Sequence, residues 1–395
     1  MEAVTISLEK WKPIFPVLTC FWLIVSCSTD DDPNPSLKLV QERDILPDNE
    51  LAHRPDVVAI DNLLYLAYAA ESQSGLGFKL LRLDSDANPS GDSFELYSAS
   101  GLPTDIRVSQ GEDGFWSAFE TLDMPPPDAC GKHILNAADY TITADGIELA
   151  AYETGLASGC PTTPDFMQHP PPANELPTNP KAVDDPTPLY LAGDYYILLR
   201  AWSLSNEQYY SSVQHVLRYD QDFNLLSQCL LDLGSVFAWQ RFVLSQNSLL
   251  RIEEQVFLIA GIQDGPPLPE YNSDIYALAL TADLCAPAGQ LIPLVQNERY
   301  TTRVTASHYA DGRLYLNYLV KDTNMNSQND QGYLAVFEVD HTVVPYKFSL
   351  LSEIIFQEQG VQDSHSSFAL LDDKVYVFYQ GETERILLKV FEWSI

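Results

Sequence analysis

Basic residues are scarce in this 395-residue chain: 22 Lys and Arg stand against 55 Asp and Glu, a formal charge of -33. Such a surface repels phosphate backbones and anionic head groups, which argues against nucleic-acid binding and against adsorption to anionic lipid. It suits a solvated surface that resists aggregation. Methionine is rare at 4 residues, whereas Tyr and Phe number 21 and 17. That balance, with no long stretch of helical periodicity, favours strands. No nucleophile elbow, Gly-rich phosphate loop or HExxH pair occurs. The histidines (His53, His133, His169, His215, His308, His341 and His365) are scattered, without the spacing of a metal site. Long apolar runs are missing too, apart from one near the N-terminus that is too short to span a bilayer comfortably.

That run extends from Ile14 to Val25, preceded by Lys10 and Lys12 and followed by Ser26 and Cys27. Its length and basic flank are those of a signal-peptide core. Ile24-Val25-Ser26-Cys27 resembles the bacterial lipobox. The resemblance implies cleavage before Cys27 and lipidation of Cys27 as the first mature residue. Ser28 is not the aspartate that retains lipoproteins at the inner membrane in many diderm bacteria, so the resemblance implies outer-membrane sorting, periplasmic or surface-exposed. Membrane attachment would then run through lipid alone. The acidic, Pro-containing stretch 27–35 buries no apolar area and reads as a disordered tether. The expected organisation is therefore signal peptide 1–26, tether 27–35 and a folded domain 36–395.

With Cys20 removed and Cys27 lipidated, Cys130, Cys160, Cys229 and Cys285 remain. An even number in an exported chain reads as disulfides. Three connectivities are open, of which Cys130–Cys160 with Cys229–Cys285 is favoured. The absence of CxxC or paired His spacing argues against metal binding.

One pattern recurs: a short strand, a polar turn, then a strongly apolar, Tyr-rich strand. Its second strands are Leu63–Tyr68, Phe115–Phe119, Tyr195–Leu199, Val256–Ile259, Leu314–Tyr318 and Val375–Tyr379. The first five are each followed by another apolar strand, an acidic turn and a fourth strand. Units of about fifty residues match a propeller-blade period. Each blade hides only part of its apolar surface alone, so blades must stack. The reading is an all-β, six-bladed β-propeller of four-stranded antiparallel blades. The last unit lacks a fourth strand. Leu37–Gln41 has strand character and would complete it, closing the ring and removing two open edges. This resembles the closure of many β-propellers. The Ser-x-Asp-x-Gly-x-Thr-Trp boxes of sialidase-like propellers are missing, as are Trp-Asp dipeptides. A Pro-rich stretch, 161–188, reads as a long loop on one face. A pair of β-sandwiches is the competing arrangement.

First strands line a propeller's channel, and their starts lie near one mouth. Those positions hold Arg54, Asp105 with Arg107, Asp185, Gln240 with Arg241, Arg303, and Asp363 with His365. Converging guanidinium groups of Arg54, Arg107, Arg241 and Arg303, with His365, could hold an anionic ligand. The plainer account pairs these arginines with neighbouring aspartates. Asp84, Asp86, Asn88 and Asp92 alternate oxygens as a weak Ca²⁺ site would; Asp220, Asp222 and Asn224, and Asp322, Asn324 and Asn326, imitate the pattern. Polar turns explain them as well, and no other cofactor is expected. Trp116, Trp202 and Trp239 suit packing between blades more than sugar stacking.

With no catalytic motif, the sequence favours a membrane-held binding or scaffold module over an enzyme. Its partner would be a protein, a glycan or a small anion at the channel mouth. The alternative is a propeller glycoside hydrolase or lyase using paired carboxylates.

Overall fold

Alternating apolar residues and tight polar turns repeat along the chain, and each repeat has folded into one twisted antiparallel sheet. A computed structural model describes residues 36–46, 51–72, 75–91, 93–97, 102–123, 132–143, 146–159, 185–200, 203–205, 208–210, 213–233, 236, 241–243, 247–264, 273–296, 300–321, 330–358, 365–381 and 384–394.

The strands in chain order begin with β1 (Ser36–Asp44). The first blade is β2 (Leu51–Ile60), β3 (Leu63–Ser72), β4 (Gly75–Leu83) and β5 (Phe94–Tyr97). The second is β6 (Leu102–Gln110), β7 (Gly114–Asp123), β8 (Lys132–Thr143) and β9 (Gly146–Gly159). The third contains β10 (Thr187–Leu191), β11 (Asp194–Arg200), β14 (Val213–Tyr219) and β15 (Leu225–Asp232), with a hairpin of β12 (Ser203–Ser205) and β13 (Gln208–Tyr210) inserted. The Pro-rich stretch therefore ends earlier than expected, because Pro188 already belongs to β10. After β16 (Arg241–Val243), the fourth blade is β17 (Ser248–Ile252), β18 (Gln255–Asp264), β19 (Ser273–Ala279) and β20 (Ile292–Val295). The fifth is β21 (Tyr300–Ala310), β22 (Arg313–Lys321), β23 (Asp330–Asp340) and β24 (Lys347–Gln357). The sixth joins β25 (Ser366–Leu371), β26 (Lys374–Gln380) and β27 (Ile386–Ser394) to β1.

The protein is thus an all-β propeller of six four-stranded blades in a ring. Closure follows the expected route. β1 runs antiparallel to β27, from Ser36 opposite Ser394 to Asp44 opposite Leu387. Leu37 is buried in one apolar cluster with Phe368, Val377 and Phe391. The first strands β2, β6, β10, β17, β21 and β25 form the inner wall, each touching the next around the ring.

Large apolar side chains from the second and third strands fill the spaces between blades, as the repeat requires. Tyr65, Phe115 and Tyr140 stack across the first and second blades, and Trp116 meets Tyr195 across the second and third. The fully buried Trp116 is therefore packing; Trp202 and Trp239 lie outside the described residues. In the acidic turns that suggested Ca²⁺, the carboxylates hold backbone. Asp84 Oδ1 accepts the amide protons of Asp86 and Asn88 at 3.0 and 2.7 Å. Asp220 Oδ1 does the same for Asp222 and Asn224 at 3.0 and 2.8 Å. Each turn holds one apolar residue in the left-handed region, Ala87 (φ 58°) or Phe223 (φ 57°), whose side chain is buried. These carboxylates cap backbone in the manner of Asx turns. Asp92, Asp322, Asn324 and Asn326 lie outside the described residues. Among the described residues no group of three or more His, Cys, Asp or Glu is placed to hold a metal ion.

Candidate functional site

Three of the inner strands are irregular near their starts. Register shifts occur between His53 and Asp56 on β2, between Pro103 and Asp105 on β6, and between Thr301 and Arg303 on β21. The first two contain or adjoin a proline, Pro55 or Pro103, which cannot donate to the ladder. Such bulges re-aim neighbouring side chains. Arg54 (φ 54°) and Asp185 (φ 51°) both sit in the left-handed region, which costs a non-glycine residue about 1 kcal/mol.

Two buried carboxylates result, Asp56 and Asp105, at 6% and 2% exposure. Asp56 fastens three blades together. Its Oδ2 accepts the Val108 amide proton at 2.7 Å, and its Oδ1 accepts the Ser367 hydroxyl at 2.5 Å. Burial raises its pKa, opposed by the charge of Arg107 and by these hydrogen bonds. Asp105 differs, because its Oδ2 accepts no hydrogen bond among the described residues. Burial pushes its pKa up to about 6; Arg107 and Arg54 pull it down, while Asp185 and Asp56 push it further up.

Arg107 is itself buried. Its Nε lies 3.9 Å from Asp105 Oδ2, and its Nη1 donates to the Thr305 carbonyl at 2.6 Å. Thr305 belongs to the fifth blade and Arg107 to the second, so this bond crosses the channel. Beyond it lies a cavity of about 330 Å³ with mixed walls, lined in part by Asp56, Arg107, Asn247, Ser248, Ser307 and His308. His308 Nε2 meets the Phe368 carbonyl at 2.8 Å. A carbonyl accepts only, so Nε2 carries the proton, and burial keeps the ring neutral by lowering its pKa.

The mouth thus holds three carboxyl groups, Asp56, Asp105 and Asp185, in one field with Arg54 and Arg107. A buried acid whose pKa is pushed up to about 6, with further carboxyl groups nearby, is an arrangement that acid–base chemistry uses.

The structure brings Arg54 and Arg107 together here, but the fork of Arg107 is occupied by Thr305 and Asp105. Arg241 and Arg303 start or lie on β16 and β21, and their side chains are outside the described residues, as are Gln240 and Asp363. His365 is buried at the entry to β25, where its carbonyl accepts the Gln380 amide proton at 3.1 Å. Cys229 and Cys285 form a disulfide, with Cα atoms 5.8 Å apart, that joins the third blade to the fourth. Cys27, Cys130 and Cys160 fall outside the described residues. Sequence reasoning missed Asp56. The available signal was a lone acid amid the apolar residues of a channel-lining strand.

No family model matches the chain, and no curated protein matches it. Solved structures do. An α-L-arabinanase of Penicillium chrysogenum, complexed with arabinobiose, superposes with a TM-score of 0.58 at 12% identity, covering 90% of this chain and 98% of its own. A protein of unknown function from Dyadobacter fermentans gives 0.56 at 12% identity over 91% and 99%. The hemagglutinin-neuraminidase ectodomain of parainfluenza virus 5 gives 0.52 at 10% identity over 92% and 85%. At these identities the likeness establishes the shared propeller architecture. It also corrects the expectation of a binding or scaffold module, which rested on the lack of a catalytic motif. The arabinanase is an enzyme on the same architecture, so a missing linear motif does not argue against catalysis.

Proposed function

We propose that this protein is a propeller glycoside hydrolase acting on neutral glycans, with the mouth carboxylates as its acid and base. One observation carries the reading: Asp105, buried at the channel entrance and held protonated up to about pH 6, shares its surroundings with two further carboxylates. A glycosidic oxygen leaves only when protonated, and the attacking water must lose a proton. Asp105 supplies the first proton. Asp185, the most exposed of the three and so the one that solvent reaches best, takes the second.

The arabinanase neighbour supports a neutral sugar as substrate. Lyases and sialidases act on anionic sugars and need cations that face the ligand. Arg107 is bonded within the protein, sialidase boxes are missing, and the chain carries -33 charges. Export and outer-membrane anchorage through lipidated Cys27 belong to the same proposal, on the strength of Ile24–Cys27. They would place the enzyme among extracellular or periplasmic glycans.

The test is release of reducing ends from arabinan, xylan and their oligosaccharides by the full chain, compared with Asp105→Asn. Loss of the acid should lower turnover by about 10²–10⁴-fold while the thermal unfolding transition persists. A folded wild-type protein inert on every neutral glycan would refute the reading, as would an equally active Asp105→Asn.

A further inference from the structure

We propose that the end of the propeller opposite the carboxylate mouth rests on a lipid bilayer, with Val343 and Val344 entering the interfacial layer. This rests on the lipid-anchor reading of Cys27. It goes beyond the hydrolase reading by fixing which way the mouth points.

Strand direction supplies the polarity. First strands run from the mouth towards the tight turns, second strands return, and third strands run towards the turns again. β27 is a third strand, so its Ser394 lies at the turn end. β1 pairs with it antiparallel, with Ser36 opposite Ser394. The folded domain therefore begins at the turn end. Between Cys27 and Ser36 the chain can extend at most about 30 Å, which keeps this end near any membrane that holds Cys27.

The same corner carries the most exposed large apolar side chain among the described residues. β23 also ends at the turn end, and residues 341–346 link it to β24, whose Lys347 pairs with Asp340. β24 touches β1, so this hairpin stands beside the strand that the tether enters. The turn is held at both ends. Asp340 Oδ1 accepts the Thr342 amide and hydroxyl protons at 3.0 and 2.6 Å, and the Tyr346 ring packs on Phe257 at 5.3 Å. Between these fixed points Val343 and Val344 are 42% and 93% exposed. Leu39 and Val40, each about half exposed, lie on β1, the strand that the tether enters.

A rigid apolar tip beside a lipid-bearing tether would set the orientation of a domain that the lipid already holds at the bilayer. The net charge of -33 gives anionic head groups nothing to attract, so the contact must be apolar and insensitive to salt.

The experiment uses the full chain processed by a bacterial export pathway and reconstituted on phosphatidylcholine vesicles. A polarity-sensitive dye is placed by Val344→Cys, or by Glu358→Cys at the mouth end, with the labelled parent as background. Mass spectrometry of the N-terminus reports lipidation. The inference predicts a blue shift at position 344, and quenching by shallow spin-labelled lipid about threefold above that at 358. About 0.5 M salt should leave both unchanged. Val343→Asp with Val344→Asp should return position 358 and its surroundings to free tumbling without releasing the lipidated chain. A lipidated, vesicle-bound chain whose position 344 stays in water overturns the inference and leaves the anchor reading intact. So does protection of position 344 by concentration-dependent self-association without vesicles, which would make the tip a contact with a second copy. A chain lacking lipid overturns the anchor reading and this inference with it.

Discussion

The two ends of the propeller solve different problems, and their backbones record it. At the turn end the same hairpin recurs. Asp61-Asn62, Ala192-Gly193, Asp311-Gly312 and Asp372-Asp373 each place both central residues at positive φ, between 49° and 91°. This is the type I′ geometry whose twist suits adjoining strands. At the mouth, by contrast, the entries of β2, β6 and β10 differ from one another. One carries a bulge at Arg54-Pro55, another a shift after Pro103, and a third is preceded by Asp185 in the left-handed region. A frame that does one job six times can reuse one local solution. A site that needs a buried acid, its partners and a cross-channel arginine cannot. Strain in the repeated turns belongs to folding, whereas strain at the mouth surrounds the buried Asp105 and Arg107.

That contrast implies that stability is most sensitive in the repeated frame. The largest effect is expected at the closure. Leu37→Asp would place a charge in the cluster that joins β1 to the sixth blade, and should cost about 4 kcal/mol or more. Thermal unfolding should shift down strongly or lose cooperativity. An unchanged transition would mean that β1 contributes nothing to closing the ring. Next comes Gly114→Ala at the head of β7, where a Cβ would lie 2.1 Å from the Tyr140 carbonyl oxygen. The backbone must move, at a cost of about 3 kcal/mol. Denaturant unfolding checks this, and a loss below about 1 kcal/mol would show that the strand pair gives way easily.

The same contrast governs what the sequence revealed. The frame was legible because its signals are local and repeated: Tyr195–Leu199 and Leu314–Tyr318 read as second strands from their own side chains. The incomplete final unit and the strand character of Leu37–Gln41 even disclosed the closure. The mouth was legible only as a set of candidates. Arg54, Asp105, Arg107 and Asp185 were placed by their position at strand starts, but their pairing is a matter of side-chain direction. That Arg107 reaches across to Thr305, a backbone carbonyl 198 residues away, has no local signature. Asp56 was overlooked because its one signal, a lone acid among apolar residues, does not name the Ser367 hydroxyl and Val108 amide that hold it. The Asp84 and Asp220 turns stayed ambiguous because an Asx turn and a calcium loop use the same residues.

Asp105 tests the mouth side of the comparison through pH. Its folded pKa is raised to about 6 from the ordinary 3.8, so the folded state holds this proton more tightly than the unfolded chain. The stabilising contribution is complete below about pH 4 and is lost as pH rises through about 6, on the order of 2–3 kcal/mol in all. Asp105→Asn removes that slope. Stability of the variant relative to wild type should therefore improve as pH goes from 4 to 7, while hydrolysis falls. Parallel stability curves over that range would show that Asp105 titrates normally.

The smallest effect on stability, and the sharpest test of the contrast, comes from relieving strain at one end and then at the other. Asp61→Gly and Arg54→Gly each replace a left-handed non-glycine residue, at φ 49° and 54°. Asp61→Gly should change stability by no more than about 1 kcal/mol and leave the pH profile of hydrolysis where it was. Arg54→Gly also removes a cation that lowers the pKa of Asp105. The strain relieved and the charge lost oppose each other near neutral pH, so net stability should again move by less than about 1 kcal/mol. The pH profile should nonetheless respond. With less positive charge nearby, Asp105 keeps its proton to higher pH, and the alkaline limb of activity moves upward. If both variants left that limb in place, Arg54 would be one more strained turn residue, and the electrostatic distinction between the two ends would fail.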